Sequence, residues 1–145
     1  RQRVRSPRVA QGPSRNADGR RGARSVLRLD ESGRDADLSY YYRGNVDLPR
    51  FFPMTESSFD TRKNWHLFKT LIDTGEVEYI FVSYYLQEML YKYARSIGYT
   101  KKQLKEILQY PRPKHKTVGI IRHSAGHDDH FHIRFTCGPK DRHCR

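Results

Sequence analysis

The chain has 145 residues, 36% of them hydrophobic, and carries a net charge of +12. This length is enough for one domain with a hydrophobic core, and no run approaches the roughly 18 apolar residues that a membrane span needs. Residues 1–29 contain nine arginines and a single acid, Asp18. Because most of the excess charge lies there, the total charge is poor support for a nucleic-acid-binding function of the remainder.

The first 29 residues differ in character from the rest of the chain. They show neither helical nor strand periodicity and are rich in Arg, Pro, Gly and Ser. This composition predicts a flexible basic segment over residues 1–29, followed by one folded domain over residues 30–145.

The organised part begins with a predicted strand over residues 35–42. Asp35, Asp37 and Ser39 alternate there with apolar residues. Because successive strand residues point to opposite faces, this pattern predicts a strand with one apolar face and one face that carries carboxylates.

Helices and further strands follow along the chain. Their predicted extents are a helix from Asp60 or Thr61 to Ile72, a strand over 77–83, a helix over 86–97, a short helix opened by a Thr100–Gln103 capping box, and strands over 117–123 and 130–136. The turn at residues 124–129 predicts a hairpin-like connection between the last two strands. The order β–α–β–α–α–β–β predicts an α+β fold, with a mainly antiparallel sheet and flanking helices.

Two cysteines, Cys137 and Cys144, lie near the end of the sequence. An exported protein would be able to join them in one small-loop disulfide. Since two cysteines form no disulfide framework, we expect free thiols.

Four of the seven histidines fall within ten residues, namely His123, His127, His130 and His132. His130 and His132 are two apart in a predicted strand and therefore share a face. An H-x-H pattern alone is weak evidence, because a solvated strand carries such a pair by chance. Together with Asp35 and Asp37, however, these imidazoles would supply the ligands of a hydrolytic zinc site. An equally good interpretation is that the two aspartates are charges on an edge strand, where they oppose aggregation.

Four segments, in order and with consistent spacing, resemble one protein family. They are residues 31–38 (ESGRDADL), 64–72 (NWHLFKTLI), 79–83 (YIFVS) and 126–137 (GHDDHFHIRFTC). The family is the penicillin-insensitive murein endopeptidases, zinc peptidases related to the D-Ala-D-Ala carboxypeptidase and lysostaphin type. Four separate segments make the resemblance more specific than any single motif, and residues 1–29 contribute nothing to it.

The resemblance implies a zinc site built from a His-x6-Asp pair and the second histidine of H-x-H. Asp37 then corresponds to the aspartate ligand and His132 to the histidine ligand. Asp30 stands where the family has its other histidine ligand, and its shorter reach and oxygen donors make the site less selective for zinc. His130 corresponds to the catalytic histidine, and His127 to a further active-site histidine.

The implied function is zinc-dependent cleavage of the D-alanyl–diaminopimelyl cross-links of peptidoglycan by an exported or periplasmic enzyme. His130 would act as a general base or stabilise the oxyanion. Because Asp30 replaces a ligand, the first alternative is an inactive relative that only binds peptidoglycan. The second, less favoured alternative is a basic nucleic-acid-binding protein.

Overall fold

The computed structural model describes residues 28–29, 33–44, 46 and 48–144. Most of the predicted flexible segment, residues 1–27, lies outside this described part, as does the predicted ligand Asp30. Arg28 and Leu29 form a short strand whose backbone pairs with Asp37 and Ala36. The sheet therefore includes Arg28 and Leu29, the last two residues of the segment that we expected to be flexible.

The described residues form an α+β fold of three helices and a mixed five-stranded sheet. The elements are β1 (Arg28–Leu29), β2 (Asp35–Ser39), α1 (Thr61–Asp73), β3 (Val77–Phe81), α2 (Tyr84–Ser96), α3 (Lys101–Ile107), β4 (Ile121–Arg122) and β5 (His130–Phe135). The strand order is β1-β2-β5-β3-β4, and only the β3–β4 pairing is parallel. The predicted α+β class is confirmed. Within these ranges, no helix has the length and apolar character to cross a membrane.

The last two strands do not form the hairpin that we predicted. β5 is inserted between β2 and β3, and β4 lies beyond β3 at the edge of the sheet. Ile121 of β4 is fully buried beside Ile80 of β3, which pairs with it in parallel. The prediction was wrong because turn-forming residues at 124–129 are compatible with many kinds of loop, whereas the burial of Ile121 decides which strand β4 joins.

One face of the central strands lies in the hydrophobic core. Phe131 and Ile133 of β5 are fully buried there with Ile80 of β3. They belong to one cluster with the helix residues Trp65, Phe68, Leu86, Leu90, Ala94, Leu104 and Ile107. Burial of Phe131 or Ile133 stabilises the fold by about 1.5–3 kcal/mol for each side chain. Because strand side chains alternate, it also directs His130 and His132 to the opposite face.

Two of the helices begin at the caps that the sequence predicts. The Asp60 carboxylate accepts a hydrogen bond from the backbone N–H of Lys63 at the start of α1. Thr100 and Gln103 complete a reciprocal capping box at the start of α3. Each cap contributes about 1 kcal/mol by satisfying N–H groups that the helix itself leaves unpaired.

Cys137 and Cys144 are joined in a disulfide, with their Cα atoms 5.6 Å apart. The intervening chain turns at Gly138, whose carbonyl accepts a hydrogen bond from the backbone N–H of Asp141. This turn brings the two cysteines within the span that a disulfide requires. The expectation of free thiols was therefore wrong, because it considered the number of cysteines and not the path of the chain between them.

Candidate active site

The register of β2 and β5 brings predicted site residues together. Asp37 lies directly opposite His132 in this antiparallel pair, and Ser39 lies opposite His130. Side chains at directly opposed positions are close enough to touch. The Nδ1 atom of His132 lies 2.8 Å from Oδ1 of Asp37. Asp37 and His132, the two described members of the predicted ligand set, are thus in direct contact.

His132 is held by a second carboxylate as well. Its Nε2 atom lies 2.7 Å from Oδ1 of Asp35. The Asp35 side chain is only 9% exposed, and its other oxygen lies 3.6 Å from Nε of Arg134. The sequence placed Asp35 on the correct face, as a possible zinc ligand or an edge-strand charge, but the family resemblance gave it no separate role. Its position, one step along β2 from Asp37 on the same face, is the signal that could have identified it.

His130 is oriented by residues that the sequence did not single out. Its Nδ1 lies 2.5 Å from Oδ1 of Asp129, and the Phe51 ring stacks on the imidazole with centroids 4.9 Å apart. Its Nε2 lies 3.7 Å from Oδ1 of Asp37, which is beyond hydrogen-bond distance. His130 therefore turns one nitrogen toward the Asp37–His132 pair and keeps the other on Asp129.

His127 completes a group of three neighbouring imidazoles. Its ring centroid lies 4.9 Å from that of His130 and 6.2 Å from that of His132. Its Nδ1 lies 3.1 Å from the carbonyl oxygens of Ser124 and Ala125. Because a carbonyl oxygen only accepts, Nδ1 carries the proton and Nε2 is the basic nitrogen. Burial lowers the pKa of His127, and the neighbouring imidazoles lower it further.

Aromatic rings surround this group of histidines. The Phe81 ring lies 5.4 Å from that of His127 and 5.7 Å from that of His132. The hydroxyl of Tyr40 donates a hydrogen bond to the carbonyl of His127 across 2.7 Å, which ties the loop before β5 to the core. Burial raises the pKa of Tyr40, so its hydroxyl remains a donor at neutral pH. The imidazoles are thus set on a rigid support beside apolar rings.

The donor atoms of Asp37 and His132 are of the kinds that zinc takes in proteins. A histidine ligand normally donates its other ring N–H to a carboxylate or carbonyl, and Asp35 occupies that position on His132. The third predicted ligand, Asp30, is not among the described residues. Within the described ranges, no group of three or more His, Cys, Asp or Glu side chains is arranged to hold a metal ion. The described residues therefore supply a fitting pair of ligands and not a full set.

Comparison of the chain with protein-family models, with curated proteins and with solved structures finds no match. A function for the chain is therefore proposed from the geometry of the histidine cluster and from the sequence resemblance.

Proposed function

We propose that the chain is a zinc-dependent hydrolase that cleaves peptide cross-links in peptidoglycan. The observation that supports the reaction class is the meeting of two imidazoles at one carboxylate: Oδ1 of Asp37 contacts Nδ1 of His132 and faces Nε2 of His130. The substrate, the D-alanyl–diaminopimelyl bond, and the exported or periplasmic location are proposed from the sequence resemblance.

Asp37 and His132 are the described residues that would hold the metal, and Asp30 is the third ligand proposed from the sequence. Bound zinc lowers the pKa of its water toward about 7 and polarises the scissile carbonyl. With a metal ion held by Nδ1 of His132 and by Asp37, the ring proton would lie on Nε2, where Asp35 is placed to accept it. Asp35 would thereby favour the tautomer that a ligand needs.

His130 is the proposed general base. Its Nδ1 proton is held by Asp129, so Nε2 is the nitrogen that takes a proton from the attacking water and returns it to the leaving amine. Stacking on Phe51 restricts rotation of the ring and keeps Nε2 turned toward Asp37. His127, with its lowered pKa, presents a neutral imidazole to the same space and adds no positive charge that would repel a metal ion.

A second candidate function is peptidoglycan binding without catalysis. One observation favours it: the described residues complete no group of three metal-binding side chains. Asp30, in place of the family's histidine, points in the same direction because a carboxylate makes the site less selective for zinc.

The two candidates separate when zinc and hydrolysis are measured together. Zinc per chain is measured after dialysis, and purified peptidoglycan is then incubated with the protein, with and without a chelator. About one zinc per chain and chelator-sensitive release of cleaved cross-links support the enzyme. Sedimentation with peptidoglycan and no cleavage supports the binding protein. His115→Ala removes an exposed histidine outside the cluster and is the control. If the protein holds no zinc, cleaves no cross-links and does not sediment with peptidoglycan, both candidates are contradicted.

A further inference from the structure

Asp35 is the most buried carboxylate in contact with the histidine cluster among the described residues. Its side chain is 9% exposed, against 31% for Asp37 and 35% for Asp129. A buried carboxylate is costly to desolvate unless it is paired and hydrogen-bonded. Asp35 has both kinds of partner, because Oδ1 contacts the imidazole of His132 and Oδ2 faces the guanidinium of Arg134.

We propose that Asp35 is a positioning residue that fixes the orientation of the His132 ring and holds a proton on its Nε2, an inference that rests on the proposed metal site. Its hydrogen bond to Nε2 spans neighbouring strands, since Asp35 pairs with Arg134 and Asp37 pairs with His132. Each ring nitrogen consequently has a carboxylate within hydrogen-bond distance, Asp35 on the buried side and Asp37 on the more exposed side. A neutral ring donates to one of them, and a protonated ring donates to both. Rotation of the ring would break both contacts.

Arg134 lies on the side of the Asp35 carboxylate away from His132. The guanidinium Nε lies 3.6 Å from Oδ2 of Asp35 and 3.8 Å from Oε2 of Glu78. The guanidinium thus faces Oδ2, while Oδ1 lies against the imidazole. Glu78 belongs to the same group of charges but has its contacts with Arg34 and Arg134, so it provides a matched control.

The test uses the full chain, with Co²⁺ as the metal probe and the Nε2 proton of His132 as a probe that needs no metal. Asp35→Ala removes the carboxylate, Asp35→Asn preserves its shape with a weaker acceptor, and Glu78→Gln removes a charge that does not contact His132. Thermal unfolding of each variant establishes that it is folded. We expect Co²⁺ dissociation constants about 10–100-fold higher for Asp35→Ala, a smaller increase for Asp35→Asn, and no more than about a threefold change for Glu78→Gln.

In the metal-free chain, the Nε2 proton of His132 is followed by ¹H–¹⁵N NMR. Slow exchange with water in the wild type, faster exchange in Asp35→Asn and loss of the signal in Asp35→Ala support the positioning role. If the wild type protects this proton but binds no Co²⁺, the metal site fails and the positioning of His132 stands. Equal proton exchange in wild type and folded Asp35→Ala, or equal Co²⁺ affinity where the wild type binds the metal, overturns the proposal.

Discussion

The imidazole Nδ1 of His123 accepts a hydrogen bond from the backbone N–H of Tyr84, the first residue of α2, across 3.1 Å. Ser83, at the cap position, makes no side-chain hydrogen bond to this helix. The imidazole therefore satisfies one of the N–H groups that the first turn of a helix leaves unpaired. Its own backbone N–H donates to Oε1 of Gln109 at 2.6 Å, which holds His123 in place.

This cap predicts a pH-dependent contribution to stability. Burial, with help from Lys114 and His127, lowers the pKa of His123 in the folded protein. A lowered folded-state pKa means that the unfolded chain takes up the proton first, so the contribution is complete above the unfolded value of about 6.5 and is lost as pH falls below it. We expect His123→Ala to reduce the free energy of unfolding by about 1 kcal/mol at pH 7.5, and by less at pH 5.5.

Urea unfolding at the two pH values measures this difference, with the exposed His115→Ala as the control. At each pH, the free energy of unfolding of the variant is subtracted from that of the wild type. This difference removes the direct effect of the His127 titration, because both proteins retain His127. The same loss at both pH values would show that the imidazole contributes by packing and not as a hydrogen-bond acceptor.

A second prediction concerns Gly119, which has a φ of +77°. A Cβ atom at this position would lie 2.8 Å from the backbone carbon of Leu108 and 2.9 Å from the backbone nitrogen of Gln109. Backbone atoms cannot rotate aside as a side chain can. We expect Gly119→Ala to lower the free energy of unfolding by about 2–5 kcal/mol, from backbone strain and overpacking together.

Gly75→Ala isolates the conformational part of that loss. Gly75 has a φ of +73°, but nothing lies within 4 Å of an added Cβ. This variant should lose only about 1–2 kcal/mol, the cost of the left-handed conformation. If denaturant unfolding gives equal losses for the two variants, the close approach of Gly119 to residues 108–109 has no energetic effect.

The sequence predicts helix caps where the cap and its target are close along the chain. The Asp60 carboxylate reaches Lys63, and Thr100 reaches Gln103, each across three residues. The cap on α2 has no such local signal, because His123 lies 39 residues from Tyr84. That contact exists only after β4 has paired beside β3, and the sequence did not predict this pairing.

In the candidate site, too, the sequence predicts the local features and does not predict the long-range contacts. Alternation predicts that His130 and His132 share a polar face and that Asp35 and Asp37 share another, because that information is local. The register that sets Asp37 opposite His132 depends on contacts across 95 residues. The separate role of Asp35 depends on the same register, since a slip of two residues between the strands would set Asp35 instead of Asp37 opposite the imidazole.

A third prediction separates the roles of the two histidines in β5. His130 faces Asp37 at 3.7 Å and is held by Asp129, whereas His132 is in direct contact with Asp37. We expect His130→Ala to lower kcat by about 10²-fold or more with zinc content unchanged, as for a base that is not a ligand. His132→Ala should lose the metal. Metal analysis of both variants, beside peptidoglycan hydrolysis, provides the measurement. Equal loss of zinc from both would make His130 a ligand.

The last prediction concerns Asp30, which stands seven residues before Asp37, where the murein endopeptidases that the sequence resembles have a histidine ligand. The backbone of Leu29, just before it, pairs with Ala36, so the sheet extends to the residue that precedes Asp30. We therefore expect that metal binding is weakened by the side chain at position 30 and not by loss of the sheet beside it. Asp30→His should raise zinc affinity by about tenfold and increase hydrolysis, because an imidazole replaces a harder oxygen donor and removes a negative charge.

Asp30→Asn is the matched variant, because it removes the same charge without adding an imidazole. Zinc affinity is measured by competition with a chelator. A gain in Asp30→His that Asp30→Asn does not share assigns the position to a metal ligand. An equal gain in both would mean that the charge alone matters. In a third outcome, the wild type already holds one zinc per chain and is fully active, and zinc affinity is unchanged in both variants. That result would mean that another residue is the third ligand. His127 is then the candidate, because its Nδ1 proton is committed to the carbonyls of Ser124 and Ala125 and its Nε2 is free of that contact.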